Sequence, residues 1–275
     1  MSEQFPRTSD IPSQSPLYWV RQKDRYLRQI LIRDIEEITK RRLVVYFANR
    51  NFNEAGINPQ DPPYLAELFE DVGKDEPVDI FLETSGGRTD TTEALVSFLK
   101  CNASDFRVIV PNAAKSNGTL LALASSGIVM GPTSELGPID PHINGTPCNI
   151  LIDPSVAATN LPLSKLAENF IKQTQALAKS VLSEGMMSDQ DANKIDQTVH
   201  LLSSNDKYFS HGSVIDHLEA KQLGLKVEYL ESNSELWRRI WLLYCMYDFD
   251  CTRDNYLKVF EGRARSTTIS SNKVN

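Results

Sequence analysis

Four short apolar runs constrain this chain more than any other feature. They are Leu43-Val44-Val45-Tyr46-Phe47, Val78-Asp79-Ile80-Phe81-Leu82, Phe106-Arg107-Val108-Ile109-Val110 and Gly127-Ile128-Val129-Met130-Gly131. Runs of this length with little polar alternation fit strands covered on both faces. Helical spacing fills the gaps between them. Leu65, Leu68 and Phe69 mark one helix; Thr91 to Leu99 mark a second, with Thr89, Asp90 or Thr91 as its N-cap; Thr119–Ser125 begin a third. Strand alternating with helix at this rhythm implies βαβ units, hence an α/β fold with a mostly parallel sheet and flanking helices. Further helices are expected over 163–182, 189–202, 214–224 and 235–247, and a last strand over 226–230.

The flanks read differently. Residues 1–16 are rich in Ser, Pro and Gln and are expected to be a disordered tail, as is 262–275. Residues 17–42 and 231–261 are expected to be helical extensions of a 43–230 domain. Their aromatics, Trp19, Tyr26, Trp237 and Trp241, either anchor an interface or finish the monomer's own core. The Lys40-Arg41-Arg42 triplet is read as a solvated entrance to the first strand.

Charge and cysteine usage exclude several classes. A net charge of −7 argues against a general nucleic-acid surface, so no nucleic-acid partner is indicated. Cys101, Cys148, Cys245 and Cys251 form no CxxC pair, and no His stands at zinc-finger spacing. Free thiols and no metal are expected. No apolar run reaches the roughly 18 residues a bilayer span needs. The first residues lack the apolar centre of a signal peptide. A cytoplasmic protein is the expectation.

Two loops after strand ends carry the chemistry. One is Glu83-Thr84-Ser85-Gly86-Gly87; the other is Ala113-Ala114-Lys115-Ser116-Asn117-Gly118-Thr119. Sites in open α/β sheets form outside the carboxyl ends of the strands. Paired glycines let backbone N–H groups approach a ligand closely. A serine at a helix start sits among unpaired N–H groups. One loop offers an oxyanion hole and the other a nucleophile. By spacing alone, Gly-Gly after a strand is better explained as a turn.

These residues resemble a known family. FLETSGGRTDTTEAL, followed by VIVPNAAKSNGTLLALASSGIVMGPTSELGPIDPHI, is similar to the serine dehydrogenase proteinase family, Clp/crotonase-type serine peptidases related to signal peptide peptidase. The run Met130 to Pro141 is the most specific element, and the likeness covers roughly residues 43–230. The resemblance implies a Clp/crotonase-type fold built from repeated ββα/βαβ units. It implies Ser116 as nucleophile, with Gly87 and Asn117 N–H groups and Gly86 forming the oxyanion hole. It also implies a homo-oligomer, a peptide or protein substrate, and no cofactor. Lys115, Asn117 and Arg88 depart from the family's smaller residues at these places. The unmatched ends leave room for an unidentified protein partner.

The base stays open among three readings. His142 lies 26 residues after Ser116, close to where Clp-type subunits carry their histidine. A histidine suits the role by its ordinary titration range. Relatives of signal peptide peptidase use a helix lysine instead, and Lys165 and Lys172 lie 49 and 56 residues after Ser116. A lysine on an amphipathic helix is ordinarily a solvated residue. His211 is the third candidate, near the place of the Clp triad aspartate, with a structural role as its alternative. His200 and His217 are ordinary helix residues, and Asp140 beside Pro141 is a turn cap or an orienting group for His142. An active serine endopeptidase is therefore expected. The alternatives are an inactive Clp-fold scaffold or peptide-binding module, and more remotely a crotonase-type acyl-CoA enzyme.

Overall fold

The computed structural model describes residues 15–73 and 75–271. Helices α1 (Pro16–Arg21) and α2 (Lys23–Thr39) lead into β1 (Arg42–Ala48). Then follow α3 (Asp61–Phe69), β2 (Val78–Glu83), α4 (Thr89–Asn102) and β3 (Phe106–Val110). A two-residue strand β4 (Ala113–Ala114) precedes α5 (Asn117–Leu123), β5 (Ile128–Met130) and β6 (Glu135–Leu136). The hairpin β7 (His142–Ile143) and β8 (Thr146–Pro147) opens onto α6 (Cys148–Leu151), α7 (Pro154–Ala157), α8 (Leu161–Glu184) and α9 (Ala192–Ser203). The chain ends through α10 (His217–Gln222), β9 (Val227–Tyr229), α11 (Glu235–Asp254), β10 (Tyr256–Glu261) and β11 (Ser266–Ser270).

Seven strands form the main sheet in the order β11-β10-β1-β2-β3-β5-β9. The β1-β2-β3-β5-β9 part is parallel; β10 and β11 add on antiparallel. The continuous apolar runs divide by the period of two. Val44, Ile80, Val108 and Ile128 face one hydrophobic cluster; Val45, Phe81, Ile109 and Val129 face another. The first cluster takes in residues of α3, α4, α5, α8 and α9, the second those of α2 and α11. A sheet buried on both faces needs both layers, which is why its strands show no polar alternation.

The terminal segments are thus structural layers. Leu31, Ile32 and Ile35 of α2, with Trp237, Ile240, Leu243 and Tyr247 of α11, are buried on the β1-β2-β3 face. Each such apolar side chain stabilises the fold by about 1.5–3 kcal/mol. Trp237 therefore completes the monomer core, while Trp241 is part-exposed, stacked on Tyr244 at 4.9 Å. The Trp19 side chain lies outside the description, as do residues 1–14.

Three expectations need correcting. The segment after Gly262 is not a disordered tail as far as residue 270: β11 pairs with β10, whose side chains Val259 and Phe260 are core. The 231–261 extension is not all helix, since β10 joins the sheet next to β1. Arg41 is no solvated residue either. Its guanidinium reaches Asp79 at 2.6 Å and Asp105 at 2.7 Å, and Arg107 grips the same Asp79 at 2.9 Å. Asp79 is fully buried within β2, so these two arginines are what make a carboxylate tolerable there.

Candidate active site

The nucleophile loop is stitched to the end of β2. Thr84 N–H donates to the Ala113 carbonyl at 2.9 Å, and Lys115 N–H donates to the Thr84 carbonyl at 3.0 Å. This lays Gly86 directly against Ser116, with Gly87 against Ile57. A β-carbon on Gly86 would stand 2.7 Å from Ser116 Cβ, and one on Gly87 only 2.3 Å from the Ile57 backbone. Both glycines also hold positive φ, 103° and 152°. The loop is held open from the far side as well. Ile57 N–H donates to the Gly86 carbonyl at 2.7 Å, and Arg88 N–H to the Ile57 carbonyl at 2.9 Å. Gly87 N–H, bracketed by these bonds, has no partner among the described residues.

Ser116 itself is in an unfavourable conformation. Its φ is 52° and ψ −120°, a region side-chain-bearing residues rarely enter and that costs on the order of 1–3 kcal/mol. It occupies the N-cap of α5, yet its hydroxyl makes no capping bond. A serine at that position ordinarily caps. Here the turn aims the hydroxyl elsewhere, and the hydroxyl and the Asn117 N–H both lack partners among the described residues. A cavity of about 590 Å³ is lined by Ser85, Gly87, Ser116, Asn117, His142 and His211, with Phe170, Gln173 and Thr174 of α8 on its wall.

The polar neighbours of the serine have structural work. Asn117 Nδ2 donates to the Gly87 carbonyl at 2.6 Å, clipping the glycine loop to the nucleophile turn. Its Oδ1 is buried without a hydrogen-bond partner among the described residues. Lys115 is buried and faces the other way: its ammonium donates to the Leu136 and Ser213 carbonyls at 3.0 and 3.1 Å and pairs with Glu135 at 3.2 Å. Burial lowers its pKa, with the Glu135 carboxylate opposing. Lys115 so ties the nucleophile loop to the segment that carries His211. Arg88 is exposed at the cavity mouth, paired with Asp90.

His142 and His211 are brought together, 4.2 Å between ring centroids in an edge-on arrangement. Both contact Asp140, which is 2% exposed. His211 Nδ1 lies 2.7 Å from Asp140 Oδ1; His142 Nδ1 lies 3.0 Å from the Asp140 carbonyl and 3.8 Å from Oδ2. Each ring thus has Nδ1 anchored on Asp140. Asp140 is therefore the hub of both histidines, beyond the turn cap or orienter of His142 expected from sequence. Nothing in the spacing points to the Asp140–His211 contact, which joins residues 71 positions apart.

The lysines are not brought to this place. Lys165 is exposed and paired with Glu168 at 2.9 Å; Lys172 is exposed. The helix turns Phe170, Gln173 and Thr174 to the cavity instead. His200 pairs with Asp206 at the surface and His217 stacks on Tyr229 at 3.8 Å, away from the cavity lining. The four cysteines are free, and burial beside Asp140 pushes the Cys148 thiol up to about 11. Among the described residues, no helix is long and apolar enough to cross a membrane.

A family model described as ClpP-like SDH-type serine proteinase matches residues 65–253. Two uncharacterised proteins of Methanocaldococcus jannaschii are each 27% identical. One match covers 62% of this chain and 60% of the relative, the other 70% and 64%. The chain thus spans less than two thirds of the length of the curated relatives it matches. Among solved structures, ClpP1 from Listeria monocytogenes superposes with a TM-score of 0.45 at 16% identity, over 73% of this chain and 98% of its own. A membrane-bound stomatin-specific protease superposes at 0.41 and 21% identity, over 66% and 75%.

Proposed function

The chain belongs to the ClpP-like SDH-type serine proteinase family, and we propose that it is a serine peptidase cleaving peptide bonds through an acyl-enzyme on Ser116. The observation that carries this reading is Ser116 itself. It is held at positive φ with an uncapped hydroxyl, between two unpaired backbone N–H groups, on the wall of a cavity that two histidines also line. Strained turns that expose a hydroxyl are a recurring way to present a nucleophile.

In this mechanism Ser116 Oγ attacks the scissile carbonyl as an imidazole takes its proton. The carbonyl oxygen becomes an oxyanion and receives the N–H groups of Gly87 and Asn117. The imidazolium then passes the proton to the departing amine. Water, deprotonated by the same imidazole, attacks the acyl carbonyl and frees Ser116. We assign the base to His142, the less exposed of the two rings, with Nδ1 held by the Asp140 carbonyl and Nε2 left to accept. His211, through the Asp140 carboxylate, then acts as a positioning residue. The 2.7 Å contact between Asp140 and His211 favours a second reading in which His211 is the base. The substrate is a peptide or protein segment, and assembly into a homo-oligomer goes with the reading.

A fluorophosphonate probe tests it. Labelling of the purified protein that disappears in Ser116→Ala supports the acyl-enzyme. No labelling, or labelling unchanged by that substitution, removes the nucleophile and leaves a non-catalytic peptide-binding scaffold.

A further inference from the structure

One imidazole more than a Ser–His–Asp arrangement needs converges on Asp140, and that surplus makes a donor set of its own. Asp140, His142 and His211 each offer a ligand atom, and these atoms all lie within 4.8 Å of one another. Two imidazoles and one carboxylate are the donors a borderline divalent cation such as zinc takes, with a fourth position left for water or substrate. We propose that Asp140, His142 and His211 form a binding site for a divalent transition metal, zinc or an ion of like chemistry, and that its occupancy silences Ser116. The silencing rests on the serine-peptidase reading; the metal binding does not.

The geometry is close to what is required. Donor atoms about 2.0–2.2 Å from a tetrahedral zinc stand roughly 3.3–3.6 Å from each other. Asp140 Oδ1 and His211 Nδ1, at 2.7 Å, would part by less than about 1 Å, and the widest pair would close by a little more. Neither change asks the backbone to move far, because both histidines are only partly buried and can turn about their side-chain torsions. Asp140 supplies the fixed end. It is buried, with its carboxylate 2.7 Å from His211 Nδ1 and 3.8 Å from His142 Nδ1, and a buried carboxylate calls for a cationic or hydrogen-bonding partner. The His142 hairpin and the His211 loop both border the cavity, so the fourth position opens on the space Ser116 lines.

The consequence follows from lone pairs. Whichever ring takes the proton of Ser116 does so with a nitrogen lone pair, and a neutral imidazole bound to metal through one nitrogen carries its proton on the other, so it has no lone pair left for the hydroxyl. Both candidate bases are ligands, so both are withdrawn together. Chelation returns them. The site would act as a reversible brake set by the free metal level, in a peptidase that needs no metal for its chemistry.

Cobalt(II) gives a direct readout, since low-coordinate imidazole–carboxylate complexes absorb in the visible region. The full chain, stripped with a chelator, is titrated with Co²⁺ and competed with Zn²⁺. One equivalent of visible absorption, abolished by one equivalent of Zn²⁺, is expected. It is retained in Ser116→Ala. In His211→Ala and in His142→Ala, affinity falls by more than the roughly 10–100-fold that losing an outer-shell partner costs. Both substituted side chains are partly exposed, and a thermal melt of each variant confirms folding. No stoichiometric absorption in the wild-type chain, or absorption that survives both histidine variants at full strength, overturns the site. Fluorophosphonate labelling of Ser116 is followed in parallel. Labelling that drops at least tenfold with one equivalent of Zn²⁺ and returns with chelator supports the brake. Metal binding with labelling untouched overturns the brake alone. Absence of labelling under every metal condition overturns the peptidase reading and leaves the metal site standing on its spectrum.

Discussion

The two halves of the cavity are built in different ways. The nucleophile half is backbone. Main-chain bonds fix the loops around Gly86, Gly87 and Ser116: Ile57 N–H donates to Gly86, Arg88 N–H to Ile57, Thr84 N–H to Ala113 and Lys115 N–H to Thr84, and all three residues hold positive φ. The base half is side chain. His142 and His211 lean on one buried residue through Nδ1, His142 on the Asp140 carbonyl and His211 on its carboxylate, and either ring can turn. Backbone bonds admit one arrangement, which under the peptidase reading presents one candidate nucleophile. Side chains around Asp140 admit several, so the same cavity carries one strained serine and two histidines. A part that must be pre-organised belongs on the first kind of structure. A part that must gain and lose a proton sits on the second.

The largest effect that can break this contrast is on the base half. His142→Ala is expected to lower kcat/KM by about 10²–10⁴-fold, the span of general-base catalysis, and His211→Ala by about tenfold, because it only orients through Asp140. Hydrolysis rates for the two variants decide the matter. If His211→Ala proves the more damaging, the base moves to His211, and the two rings have exchanged roles around the same carboxylate.

Next comes the backbone half. In Gly87→Ala the new β-carbon would meet the Ile57 backbone at 2.3 Å, so the loop must shift and carry the Gly87 N–H with it. Losing an oxyanion donor costs about 10²–10³-fold, and the loss should fall on kcat rather than KM. A variant with unchanged kcat would detach Gly87 from the oxyanion hole and undo the claim that this half is pre-organised.

The same contrast explains what could be read from the sequence. The sheet was legible because strands buried on both faces cannot alternate, and Leu43–Phe47 or Val78–Leu82 announce themselves. The glycine pair was legible as a turn, because positive φ selects glycine at 86 and 87 and that choice is local, while a role for it came only from the family resemblance. The base half was not, since the Asp140–His211 contact joins segments 71 residues apart and leaves no mark on spacing. Asn117 looked like a departure because its side-chain bond to the Gly87 carbonyl exists only after folding. The terminal layers were read as appendages for a related reason. The face that α2 and α11 cover belongs to strands far away in the chain, and β10 pairs with β1 across some two hundred residues.

That long reach carries a prediction of its own. Lys258 of β10 is buried and donates to Asp61 at 2.6 Å and to the Gly56 carbonyl at 2.8 Å, while Asp61 accepts from Tyr46 Oη at 2.6 Å. Gly56 precedes the Ile57 that holds the glycine loop. Lys258→Met leaves the Asp61 carboxylate buried without its cation, an expected loss of about 3–5 kcal/mol in a urea titration. If the backbone half depends on β10, labelling of Ser116 in the folded variant slows as well. Stability lost with the labelling rate of the folded fraction intact would show the loop to be self-supporting.

The smallest effect separates the halves by pH. Glu83, at the end of β2, accepts the Ala113 N–H at 2.9 Å beneath the nucleophile loop. Burial pushes its pKa from 4.5 up to about 7, against the lowering pull of that N–H and of Arg50. A raised carboxyl pKa means that the folded chain holds this proton more tightly than the unfolded one. The stabilisation is complete below about 4.5, declines as pH rises toward 7, and is gone above it. Over that window the wild-type chain should lose on the order of 1–3 kcal/mol through this group. Glu83→Gln keeps an oxygen for the Ala113 N–H and removes the titration. Urea midpoints at pH 5 and pH 8 should therefore draw closer together in the variant than in the wild type. An unchanged difference would mean that the backbone half has no titrating support, and that any pH dependence of folding arises in other parts of the chain.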